Sequence, residues 1–212
     1  MNREQAYNLM TEMIKNPNLR KHGVAVEAIM RALCKYLKER VRVHPGGGSK
    51  VTAGPHPRGD AKVDEFDEEE WAIVGLLHDA DYELIEKDPT RHTLVTEEKL
   101  REKGVNNERM ISAIKAHHDG IKEGRDNLLE SSVYAADELS GLITACALVQ
   151  PDKKLAPVSV ESVMKKFKQA NFAAGARRDQ ILACEKELEI PLREFVKIAL
   201  DAMKGISSEL GL

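Results

Sequence analysis

Apolar positions along this chain recur with the period of a helix. Between Leu19 and Glu39 the stripe is Val26, Ile29, Met30, Leu33 and Leu37, at helical spacing. His22 stands four residues before Val26, on the same inward face. A shorter helix is expected before it, over Arg3–Lys15, halted at "NPN" because Pro17 cannot continue it. After Glu39 the pattern fails. The segment "VRVHPGGGSKVTAGPHPRGDAK" carries five glycines and three prolines and reads as a long loop, 41–63. The acidic lead "DEFDEEE" suits the first turn of a helix over Asp67–Leu77. That helix should bury Trp71, Ile73, Val74, Leu76 and Leu77, and His78 and Asp79 terminate it.

The remaining punctuation is equally helical. Asp88 as cap and Pro89 as first residue open a helix that runs to Lys103 and ends at Gly104. Asn106 or Asn107 caps another, which ends near His117. A long helix covers Leu128–Val149 and stops at Pro151; Ser159 caps a short basic one through Gln169. Two last helices span Arg177–Leu188 and Pro191–Ser208. Aromatic residues are only 4%, and Val, Ile and Thr nowhere alternate for long with polar residues. The fold class is therefore all-α.

Composition narrows the setting. A chain of 212 residues with 42% hydrophobic and 32% charged residues suits one sizeable folded domain. The net charge of −3 offers no overall basic excess to argue for nucleic acid. No apolar run approaches the roughly 20 residues of a membrane span. The N-terminal "MNREQAYNLM" lacks an apolar signal region. Cys34, Cys146 and Cys184 are far apart, form no CxxC and sit in apolar contexts, which suits buried thiols in a cytoplasmic protein.

The candidate chemistry lies in His22, His78, Asp79, His92, His117, His118 and Asp137, spread over five expected helices. Metal sites in helical bundles are built from side chains on facing helices. Imidazole and carboxylate suit Mn, Fe, Co, Ni or Zn, whereas Mg or Ca prefers an all-oxygen set. Asp137, between Ala135, Ala136 and Leu139, is a carboxylate in an apolar helix, and a metal or cationic partner explains it most simply.

The pieces "RKHGVAVEAIMRAL", "GLLHDADYE" and "AADELSGLI" resemble the HD superfamily of metal-dependent hydrolases, over Leu19 to Val149. The resemblance implies an all-helical HD-domain bundle with a metal site between its helices. It assigns first-metal ligands to His22, His78, Asp79 and Asp137. "DPTRHTLVTEEKL" and "AIKAHHDG" are further similar to HD proteins that hold two metals. These include HD-GYP phosphodiesterases, dinucleoside-polyphosphate hydrolases and di-iron HD oxygenases. In that subgroup Asp79 would bridge both ions, with His92 and His117 on the second. His117 is favoured over His118 because it continues the stripe of Met110 and Ile114. The GYP element is missing, since "DGIKEGRD" follows the HH pair.

The domain expectation is thus one HD domain over 1–212, with a core at 19–149 and a C-terminal helical extension at 150–212. The implied activity is hydrolysis of a phosphoester in a nucleotide or small phosphorylated metabolite. His78 and Asp79 stand at its catalytic centre, and two divalent transition metals activate water. A di-iron oxygenase on the same ligands, or a non-catalytic metal- or nucleotide-binding module, are the alternatives. Arg91, beside His92, and Lys115, near His117, are the first candidates for phosphate contacts. Asp81 and Asp119 are candidates for supporting the ligands. "GGGSK" lacks the Walker spacing and a preceding strand. His44 and His56, in the loop, read as solvent-exposed. The cations of "VMKKFKQANFAAGARRD", Arg177 among them, read as a solvated face.

Overall fold

A computed structural model describes residues 1–43, 65–85 and 88–212. The chain is all-α, and no strand occurs among the described residues. α1 (Arg3–Met13) is followed by α2 (Pro17–Val43), which packs most extensively on α3 (Glu68–Leu77) and also on α6 (Leu128–Leu148) and α10 (Leu192–Gly205). α2 is the central post because its stripe is wide: Val26, Ile29, Met30, Leu33 and Cys34 are all fully buried. The helix runs beyond Glu39 to Val43, so Val41–Val43 belong to α2 rather than to the glycine-rich loop. The rest of that expected loop, from 44 to 63, with His44 and His56, lies outside the described residues.

Two glycines fix how closely α2 and α3 approach. A Cβ on Gly75 would lie 2.8 Å from the Val26 carbonyl oxygen and 2.9 Å from Glu27 N. A Cβ on Gly23 would lie 2.9 Å from the Leu76 carbonyl oxygen. Backbone therefore meets backbone at the point where α2 carries His22 and α3 leads into His78.

Several helix starts follow the sequence signals. Asp67 accepts from the backbone N–H of Glu69 and Glu70 at the head of α3. Asn107, rather than Asn106, caps α5 (Glu108–Ala116) through Met110 N. Ser159 caps α7 (Val160–Phe167), and Asn127 caps α6.

The helix expected over 88–103 is divided. Asp88 and Pro89 begin a 3-10 turn, Pro89–Arg91, and α4 starts afresh at Leu94 and ends at Glu102. Thr93 between them has a φ of 66°, a left-handed conformation no continuous helix contains. The C-terminal helices are also shorter than expected. α8 (Arg178–Ile181) and α9 (Ala183–Lys186) replace one helix, and α11 (Ser207–Leu210) follows α10 after a break at Ile206. The buried apolar cluster nevertheless runs from Ala6 in α1 to Leu210 in α11.

Candidate metal centre

The end of α3 delivers the centre. His78 is its C-cap residue and is fully buried, and Asp79 begins the turn beyond it. His22, one and a half turns into α2, reaches the same point, as does Asp137 in the middle of α6. His22 Nε2 lies 3.1 Å from His78 Nε2, 3.0 Å from Asp137 Oδ1 and 3.5 Å from Asp79 Oδ2. His78 Nε2 lies 3.5 Å from Asp137 Oδ1 and 3.7 Å from Asp79 Oδ2.

A second group meets the other oxygen of the same carboxylate. His92 Nε2 and His117 Nε2 stand 3.2 and 3.3 Å from Asp79 Oδ1 and 3.0 Å from each other. His92 is the C-cap residue of the 3-10 turn, and His117 is that of α5. Within each group the ligand atoms lie within 4.8 Å of one another, the range one ion could span. Bonds of about 2.0–2.2 Å to a single ion place its ligands about 3.0–3.5 Å apart, close to the separations seen here.

The opposite ring nitrogens explain why the imidazoles point inward. Nδ1 of His78 donates to the Gly75 carbonyl at 2.8 Å, and Nδ1 of His117 donates to the Ile114 carbonyl at 2.6 Å. Nδ1 of His92 faces Asp81 Oδ1 at 2.8 Å, and Nδ1 of His22 faces the Ser140 hydroxyl at 3.0 Å. A proton on Nδ1 leaves a lone pair on Nε2. His92 and His117 therefore turn two lone pairs toward each other and toward a carboxylate, which is repulsive unless a cation lies between them. The donor set fits a metal on that ground.

Protons can play the cation's part, and the local electrostatics show it. Burial works against a charged His78, but Asp79 and Asp137 outweigh it and raise its pKa to about 9. Burial likewise opposes a charged His92, and its bonds to Asp79 and Asp81 raise it to about 9. Asp79 and Asp137 are driven the other way: burial favours their neutral forms, but the histidines hold both well below the ordinary carboxylate value.

Asp81 has a definite place. It is fully buried; Oδ1 meets His92, and Oδ2 accepts from Thr96 N at 3.0 Å. Thr93, at the start of α4, makes no side-chain cap bond, so Asp81 caps that helix from outside while orienting His92. The spacing HDxD was visible in the sequence, but its partners come from 11 and 15 residues away.

The structure brings together His22, His78, Asp79, His92, His117 and Asp137, and leaves His118 outside both groups. His118 lines the adjoining cavity, and its buried Nδ1 has no hydrogen-bond partner. That cavity, about 750 Å³, is also bordered by Tyr82, Asp119, Glu138 and Arg177. Arg177 is exposed, as the sequence reading expected, but it also borders the cavity. Sequence periodicity gave no signal for this, because Arg177 precedes only a four-residue helix. Lys115 is held by Glu97 at 2.6 Å, and Arg91 is exposed on the 3-10 turn. Neither lines the cavity.

Residues 19–142 match the model of the HD domain family. The chain belongs to the HD domain family. HD domains are typically metal-dependent hydrolases, and the match spans both imidazole groups and Asp137. No curated protein and no solved structure matches the chain. The matched part of this HD domain ends before α7–α11, so Arg177 and Gln180 reach the cavity from beyond it. No described helix is long and apolar enough to cross a membrane.

Proposed function

We propose that this HD-domain protein is a metal-dependent phosphohydrolase with a dinuclear centre. His22, His78, Asp79 and Asp137 would hold one ion, and Asp79, His92 and His117 the other. The observation that carries this reading is the division of Asp79, whose Oδ2 faces the first group and whose Oδ1 faces the second. Two divalent ions held by these residues would supply activated water and charge withdrawal from a phosphoryl group. The chain's own residues do the positioning. Gly75, Ile114, Asp81 and Ser140 fix the four imidazoles, so that no ring has to turn when a ligand arrives. The cavity beside the centre has the volume of a small-metabolite site.

Elemental analysis of protein purified without added metal, followed by a phosphatase and phosphodiesterase screen with Mn or Co, tests the proposal. The expected result is about two ions per chain and phosphate release. A ratio near one that His92→Ala leaves unchanged overturns the dinuclear centre. Iron with oxygen consumption and no phosphate release overturns the hydrolase in favour of an oxygenase.

A further inference from the structure

The cavity is chemically lopsided. One wall is the metal centre. The lining also includes Leu19, Tyr82, Ile85 and Pro89, which are apolar or aromatic. Tyr82 is 54% exposed, and its ring meets His92 edge-on with centroids 6.0 Å apart. A large aromatic surface left open inside a cavity is a packing surface for a flat or apolar group.

The charges are uneven as well. The described lining residues include four carboxylates, Asp79, Asp119, Asp137 and Glu138, and one guanidinium, Arg177. Two divalent ions would leave that wall with a single net positive charge. Arg177 comes from the C-terminal segment outside the family match. Its Nη1 donates to Asp119 Oδ2 at 2.9 Å and its Nη2 to Asp179 Oδ2 at 2.9 Å. Its backbone N–H donates to Glu138 at 3.1 Å. Asp119 also accepts from the Tyr134 hydroxyl, so the carboxylate that steers Arg177 is itself fixed, two residues after His117. A guanidinium carries five donors, and these contacts leave some of them for a ligand.

We propose that the cavity takes a phosphomonoester with a flat or apolar organic part and no second anionic group, with Arg177 as its anion contact. This rests on the hydrolase reading and deepens it. The ester phosphate lies toward the centre and Arg177, and the organic group packs on Tyr82 and Ile85. Each extra phosphate would bring charge toward Asp119 and Glu138, and Arg177, the one Lys or Arg among the described lining residues, is already engaged by Asp119 and the ester phosphate. Hydrolysis breaks the ester P–O bond, forms a P–O bond from water, and passes the water's proton to the departing alcohol.

Steady-state kinetics of the Mn-loaded full chain test this, with a nucleoside monophosphate, its triphosphate and glycerol phosphate as substrates. The monophosphate should exceed both others in kcat/KM by about tenfold or more. Tyr82→Ala should lower kcat/KM for the monophosphate more than for glycerol phosphate, bringing the first down toward the second. Arg177→Gln should raise KM for both monoesters about tenfold with metal content unchanged, and Arg177→Lys should recover part of the loss. A triphosphate preferred over the monophosphate overturns the proposal, as does Arg177→Gln without effect or equal losses on all substrates in Tyr82→Ala. Absence of any turnover defeats the hydrolase reading instead. Titration calorimetry of the same two monoesters against wild type and Tyr82→Ala then decides: no preference for the nucleoside overturns the cavity assignment.

Discussion

The two halves of the centre are built in different ways. His22, His78 and Asp137 stand on α2, the end of α3 and α6, helices that bury long apolar faces in the core. His92 and His117 stand at the ends of short segments, a 3-10 turn of three residues and a helix of nine. Hydrogen bonds orient the rings of both halves, but the first half also stands on long packed helices, whereas His92 on its short turn depends on Asp81. Packing is spread over many contacts, so no single polar atom decides it. A hydrogen-bonded support concentrates the task in a few atoms, and losing one is felt at the ligand.

The largest effect should come from breaking what the halves share. Asp79→Asn should remove binding at both groups and lower phosphoester turnover by about 1,000-fold or more; metal content together with kcat measures it. A substitution in the packed half should act on the whole fold. Gly75→Ala drives a methyl into the Val26 and Glu27 backbone, and a loss of about 2–4 kcal/mol is expected in urea unfolding of the metal-free protein. The hydrogen-bonded half should fail locally. Asp81→Asn should weaken the second ion about 10- to 100-fold while the first stays bound, shown by calorimetric stoichiometry falling from two to one. Equal weakening of both ions would erase the distinction between the halves.

A dependence on pH is expected in both halves. His78 and His92 have pKa values raised from 6.5 to about 9 in the metal-free fold. A raised folded-state pKa gives stability that is complete below about 6.5 and fades as pH climbs through about 9. The metal-free protein should therefore lose thermal stability across that window. Metal binding must expel those protons, so affinity should rise with pH over the same range and level off above it. Calorimetry in buffers of different ionisation enthalpy counts the protons released. Affinity that falls with rising pH would contradict the assignment of protons to these rings.

The fold was largely legible in the sequence because its signals are local. Helix periodicity needs only neighbours along the chain, and Asp67, Asn107 and Ser159 cap backbone N–H groups two or three residues on. The order of His22, His78, Asp79 and Asp137 was equally visible, and the resemblance supplied what the order meant. What stayed hidden depends on distance. The break at Thr93 goes with a carboxylate in an earlier turn, so the segment from Asp88 to Lys103 read as one helix. Arg177 reaches the cavity through Asp119, 58 residues earlier. Lys115 looked free for phosphate because nothing in its own helix reveals Glu97, 18 residues before it.

Thr93 carries one more consequence. It is fully buried, holds a left-handed backbone that a β-branched residue adopts at a cost of order 1–3 kcal/mol, and leaves its hydroxyl without a partner. Glycine at that position would relieve the strain and give a hardier protein. It would also loosen the residue next to His92. A strained residue thus sits beside the ligand that Asp81 orients, and this domain trades durability for aim at that point.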